Sequence, residues 1–133
     1  MSNDKSNYFS IRIERGVDEV YRFITDTSKL GLWAQGLRSA AWKPSHTAVG
    51  ESSAGPIEVC FTEQIDLGIC DLSITTPDGQ VIECPMRVVR DGTGSEVVFT
   101  LPADAIAGPE RREQLGAAIA ADLNRLRRAI EHG

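Results

Sequence analysis

The feature that most constrains this chain is a long stretch of alternation, "GPIEVCFTEQIDLGICDLSITTPDGQVIECPMRVVRDGTGSEVVFTL", from Gly55 to Leu101. Between short polar breaks, apolar residues return at every second position, the period of half-buried strands. A slip of one residue would turn a strand's whole apolar set to the wrong face, so each pairing register can be argued. In the first hairpin, Phe61 opposite Cys70 brings Val59 to Leu72 and Ile57 to Ile74. In the second, Pro77-Asp78-Gly79 supplies a tight turn with glycine where positive φ is needed. That turn sets Ile74 against Ile82, Leu72 against Cys84, and Cys70 against Met86. In the third, a four-residue loop from Asp91 to Gly94 sets Val88 against Val97, Met86 against Phe99, and Cys84 against Leu101.

The three registers agree. One face collects Ile57, Val59, Phe61, Cys70, Leu72, Ile74, Ile82, Cys84, Met86, Val88, Val97, Phe99 and Leu101. The other holds Glu58, Cys60, Asp71, Ser73, Glu83, Arg87, Glu96 and Thr100. Arg87, two residues past Pro85 in an apolar run, therefore points away from the apolar face, with Asp71 diagonal to it and Glu83 and Glu96 nearby.

Other periods flank this meander. "YFSIRIER" alternates and reads as a first strand, with Phe9, Ile11 and Ile13 on one side. In "VDEVYRFI", Val17, Val20, Tyr21 and Ile24 fall at helical spacing. "DTSKLGLWAQ" offers the cap residues Asp26, Thr27 and Ser28 before Leu30 and Trp33, a second short helix. "LRSAAWK" reads as a strand carrying Trp42, and "PSHTAVGESSAG" as a loop or poor strand, rich in breakers. From Pro109 the chain runs as one long helix, with Gly108 as cap and Leu115, Ile119, Leu123, Leu126 and Ile130 as a single stripe. So long a stripe must lie on something apolar, and the sheet's apolar face is large enough.

Composition narrows the function classes. At 133 residues the length fits one domain, 1–133. A net charge of -5 argues against a nucleic-acid partner, because gripping phosphates takes a basic face. The arginines at 111, 112, 125, 127 and 128 are interspersed with acids and read as a solvated helix face. No apolar run approaches the roughly 20 residues of a membrane span. Three cysteines, without a secretion signal, suggest reduced thiols and a cytoplasmic setting. None forms a CxxC pair, and His46 and His132 lie far from them, so no metal or other cofactor is expected.

The order strand, two short helices, antiparallel meander and long C-terminal helix resembles the helix-grip fold of the START/Bet v 1-like (SRPBCC) superfamily. That superfamily includes polyketide cyclases and Hsp90-ATPase-activator homologues. The stretches that carry the resemblance are "VDEVYRFITDTSKLGLW", "GICDLSITTPDGQVIECPMRVVRDGTGSEVVFTL" and "AADLNRLRRAIE". The resemblance implies an α+β fold in which a curved antiparallel sheet of six or seven strands wraps around the C-terminal helix. It also implies a cavity between sheet and helix for a small hydrophobic molecule. One bacterial branch carries Asp-His where this chain has Asp71-Leu72, so chemistry resting on that histidine is absent here. The fold hosts carriers, receptors, cyclases and co-chaperones alike, so it does not fix function.

The candidate ligand-binding residues are Trp33, Trp42, Val59, Phe61, Leu72, Cys84, Met86, Phe99, Ile119, Asp122, Leu123 and Leu126. The two tryptophans flank the presumed entrance, as core or as wall for a flat ligand. Asp122, on the margin of the helix stripe, either orients a ligand at the cavity mouth or pairs with a nearby arginine. His46 is a lid histidine or a solvated loop residue. A lining this poor in polar atoms suits a carrier or sensor more than a catalyst, which needs groups aimed at developing charge. The inner thiols of Cys70 and Cys84 read as inert, and no catalytic residue is assigned. A cyclase-like enzyme would need polar side chains converging on the cavity. A protein-binding module would show a filled core and an apolar outer patch, for which Val89 and Val98 are the only hints; a homodimer could use that face.

Overall fold

A computed structural model describes residues 7–34, 37–39, 47–52, 55–61, 68–102 and 109–132. β1 (Asn7–Ile13) leads into α1 (Val17–Thr25), which buries Val20, Tyr21 and Ile24. Asp18 and Glu19 sit in its first turn, where the helix dipole favours acids. A 3₁₀ helix, Thr27–Leu32, follows, its start capped by the Asp26 carboxylate accepting from the Ser28 N–H at 3.0 Å. Then come β2 (Leu37–Ser39), β3 (Thr47–Ser52), β4 (Gly55–Phe61), β5 (Leu72–Thr75), β6 (Val81–Cys84), β7 (Met86–Asp91) and β8 (Gly94–Leu101). The chain closes with α2 (Pro109–His132), whose 24 residues span about 36 Å.

All pairings are antiparallel, in two ladders ordered β1-β8-β7 and β2-β3-β4-β5-β6. The ladders are continuous where Pro85 separates β6 from β7. Residues 68–70 extend the line of β5 alongside β7, with Cys70 N–H donating to Met86 C=O at 3.0 Å and Val88 N–H to Gly68 C=O at 2.9 Å. Counting β6 and β7 as one strand broken at Pro85 gives a sheet of seven strands, gripping α2 as expected. Gly68 is required at this junction: its φ is +65°, and a Cβ there would lie 2.2 Å from the Val88 carbonyl oxygen.

The second and third registers stand as read: Leu72 faces Cys84, Ile74 faces Ile82, Val88 faces Val97 and Met86 faces Phe99. Gly79 has a φ of +88° in the Pro77-Asp78-Gly79 turn. The first register shifts by two residues, with Phe61 facing Leu72 and Val59 facing Ile74. Cys70 lies beyond the end of that ladder, beside Met86 of β7, because Phe61 is already opposite Leu72. A shift of two keeps the faces, so the apolar set survives it. The β7–β8 turn is tighter than four residues, since Asp91 already pairs with Gly94. Thr47–Ser52, read as a loop or poor strand, is a strand between β2 and β4. Its breakers hid it, but pairing on both sides satisfies its backbone whatever its propensity. Trp42 and His46 lie outside the described residues.

α2 is tied to the sheet at both ends. Arg112 donates to the Pro102 and Leu101 carbonyls at 2.8 and 3.2 Å and to the Asn7 side chain at 2.9 Å. At the other end, Arg15 donates to the Glu131 carbonyl and Glu14 N–H to the Glu131 carboxylate, each at 2.9 Å. Between them Gly116 lets the helix approach β1, for a Cβ there would stand 3.0 Å from the Phe9 ring.

Candidate functional site

The concave face of the sheet and residues 115–123 of α2 line a partly open cavity of about 390 Å³. The sheet contributes Val59, Phe61, Leu72, Cys84, Met86 and Phe99, with Ile57, Ile74, Ile82 and Leu101 beside them. The roof is Leu115, Ala118, Ile119, Asp122 and Leu123 of α2; Leu30, Trp33, Ala34 and Leu37 close one side. These are the concave positions of a single pleat phase, so the alternation of the meander and the stripe of α2 meet across one space.

Leu126 differs from the expectation. It is fully buried and does not line the cavity. With Ile130 it belongs to the buried core that also holds Ile13, Val20 and Ile24. Ten lining residues stand outside the candidate set: Ile57, Ile74, Ile82, Leu101 and Leu115 belong to the sheet face and helix stripe read as apolar, while Leu30, Ala34, Leu37, Glu51 and Ala118 do not. Glu51 lies on the unrecognised strand β3, and Leu37 on the short β2. Ala34 and Ala118 are small, and alanine carries no period of its own. Ala34 follows Leu30 by one helical turn, the one signal that could have found it.

The wall has little polarity. The Asp122 carboxylate is ion-paired with the Arg125 guanidinium three residues on, and Arg125 Nε–H donates to the Trp33 carbonyl at 3.2 Å. The Trp33 indole N–H is buried and has no acceptor among the described residues. Burial pushes the Cys84 thiol up to about 11 and the Cys70 thiol up to about 12, the latter helped by the nearby Asp71 charge. Both remain protonated at neutral pH, and a thiol is a weak nucleophile in that form. Among the described residues no group of three or more His, Cys, Asp or Glu could hold a metal ion.

Arg87 sits on the convex side, paired with Asp71, and lines no part of the cavity. The Asp71 carboxylate also accepts from the Met86 N–H at 2.8 Å. It thereby braces the chain directly after Pro85, which has no N–H of its own to give. Glu96, expected near Arg87, stands opposite Arg12 and Val89. A second concavity, about 500 Å³, lies between the start of α1 and the β7–β8 turn. Its lining is mixed, polar and apolar, whereas the cavity between sheet and helix is lined mostly by apolar side chains.

A curved antiparallel sheet that grips a long C-terminal helix over an apolar cavity defines the helix-grip class. Comparison with known proteins narrows this to the START/Bet v 1-like (SRPBCC) fold. No family model matches the chain, and no curated protein matches it either. Solved structures do. The Aha1 dimer from Colwellia psychrerythraea superposes with a TM-score of 0.75 at 17% identity, over 96% of this chain and 97% of that one. DynU16, from the dynemicin biosynthetic locus, gives 0.71 at 19% identity, over 98% of this chain but 48% of its own. Ara h 8.0201 gives 0.68 at 7% identity, over 96% and 98%. At these identities the likeness is one of fold. Among the described residues no helix is long and apolar enough to cross a membrane.

Proposed function

We propose that residues 1–133 form one domain that binds a small hydrophobic molecule between the sheet and α2, as a carrier or sensor. The supporting observation is the wall itself, apolar from Phe61 and Phe99 on the sheet to Ile119 and Leu123 on the helix. Its volume of 390 Å³ suits a molecule of roughly 12 to 20 heavy atoms, given about 30 Å³ for each water it would displace. Burying on the order of 300 Å² of apolar ligand surface gains roughly 7 kcal/mol, less the cost of association, so micromolar dissociation constants are expected. The neutral fluorophore N-phenyl-1-naphthylamine should brighten on mixing with the protein, and neutral alkyl or aryl compounds should displace it. Absence of any fluorescence gain, together with unchanged melting temperatures across such a panel, would falsify the carrier reading.

One observation favours a cyclase-like enzyme as second reading: Asp122 lines the cavity. A catalytic carboxylate there would have to leave Arg125, and no second acid or base lines the wall beside it among the described residues other than Glu51. The Aha1 structure is a dimer, which makes a homodimer the protein partner to test here, by light scattering on the eluting peak.

A further inference from the structure

The cavity wall is poor in hydrogen-bond donors. Among the described residues that line it, only the side chains of Trp33 and Cys84 can donate, and a thiol donates weakly. As ionised carboxylates, Glu51 and Asp122 only accept. The backbone of Trp33 is held from both sides. Its N–H donates to the Leu30 carbonyl at 3.1 Å, and its carbonyl accepts from Arg125 Nε–H at 3.2 Å. The side chain is left with less. Trp33 is 6% exposed, and its indole N–H is buried with no acceptor among the described residues, the two wall carboxylates included. Such a donor is rare in a folded protein, because it has given up water and received nothing in exchange. A phenylalanine could supply an aromatic wall without that loss.

We propose that Trp33 is a specificity-determining residue of the cavity, its indole N–H donating to a lone acceptor oxygen on the ligand. The hydrophobic molecule bound is then a neutral ketone, ester or ether and not a plain hydrocarbon. The inference rests on the binding reading above and adds the ligand's polar group to it. The apolar side chains take up the body of the molecule, and one oxygen answers the one strong donor. The nitrogen is covered by neighbouring atoms, so the indole meets that oxygen by turning about its own side-chain bonds while the backbone stays fixed.

The test compares valerophenone with 2-phenylhexane, a pair of nearly equal shape in which a carbonyl is exchanged for a methyl-bearing carbon. Each displaces N-phenyl-1-naphthylamine from the wild type and from Trp33→Phe, which keeps a ring but removes the donor. The affinity for valerophenone relative to 2-phenylhexane should fall about fivefold in Trp33→Phe, the size expected of one neutral hydrogen bond. Taking the ratio cancels the change in wall shape, which both compounds feel alike. A second readout needs no loss of the donor. The chain has two tryptophans, so the spectrum of Trp42→Phe assigns the Trp33 indole N–H proton resonance. That resonance should move downfield with valerophenone and stay nearly in place with 2-phenylhexane. Should Trp33→Phe fail to fold, the resonance carries the test. An unchanged affinity ratio, or a resonance that responds equally to both compounds, would overturn the proposal while leaving the binding reading intact. A wild type that takes up no fluorophore would instead remove the binding reading, and the proposal with it.

Discussion

The two halves of α2 carry one apolar stripe at one spacing, yet they rest on different ground. In the C-terminal half, Leu126 and Ile130 are 0% and 6% exposed and pack into the core with Ile13, Val20 and Ile24. In the N-terminal half, Leu115 and Ile119 are only half-buried, and below them lies the cavity. The difference comes from what sits under the helix. Leu126 and Ile130 join the buried core that also holds residues of β1 and α1, whereas Leu115 and Ile119 face the sheet and the 3₁₀ helix across a space that those elements do not fill. A concave sheet cannot keep its side chains in contact with a straight helix along the whole length, so a void opens along part of it. Helix-to-sheet packing is thus satisfied at one end and suspended at the other, and the hollow end is the site of the proposed binding.

The sharpest way to break this contrast is to cut a side chain at the filled end. Leu126→Ala should cost about 3 to 4 kcal/mol, because a fully buried leucine leaves both lost transfer energy and a new cavity. Urea denaturation at an unchanged slope would register it as a lower midpoint. A loss below about 1 kcal/mol would mean that the filled end is also loosely packed.

The next effect separates the halves by pH, through two thiols on the same concave face. Cys70 is fully buried away from the cavity, and Cys84 forms part of the cavity wall. Both are raised from an ordinary value of 9.0, Cys70 to about 12 and Cys84 to about 11. A thiol raised by folding supports the native state fully below pH 9.0, where both states hold the proton. Above that the unfolded chain ionises first, so stability falls as pH rises from 9.0 toward 11 for Cys84 and toward 12 for Cys70. The slope is at most about 1.4 kcal/mol per pH unit for each thiol. Cys70→Val and Cys84→Val should each flatten that decline, Cys70→Val up to the higher pH. If the wild type and both variants decline in parallel, other groups govern alkaline unfolding.

How much of this was readable beforehand follows the same divide between local and long-range terms. Alternation is a local property, so it fixed the faces of the meander and put Arg87 on the convex side before any coordinate was known. The register of β4 on β5 was not local. It was set by the long-range pairing that brings Leu72 opposite Phe61 while residues 68–70 run beside β7. β3 was illegible because Gly50, Ser52 and Gly55 read as breakers, while neighbours on both sides hold the strand in place. At the cavity, Ile119 and Leu123 of the stripe line the space and Leu126 does not, and the spacing could not show where wall ends and core begins. That limit is set by tertiary packing, which no spacing within α2 encodes. Asp122 was readable as either a cavity residue or an arginine partner, and it is both.

The smallest expected stability change is the most informative about the hollow end. Ile119 is half-buried and already borders empty space, so Ile119→Ala removes few contacts and enlarges a void that exists. It should cost less than about 1 kcal/mol in urea denaturation, far under the Leu126 variant in the same helix. Its effect on binding should run the other way. A ligand in the cavity would lose one face of aliphatic contact, and the affinity for N-phenyl-1-naphthylamine should fall about three- to tenfold, as for the loss of one or two buried methylenes. Leu126→Ala, if it folds, should leave that affinity nearly unchanged. The two variants therefore cross: one is felt in stability and not in binding, the other in binding and not in stability. If Ile119→Ala proved as destabilising as Leu126→Ala, the void would close in solution and both halves of α2 would be packed alike.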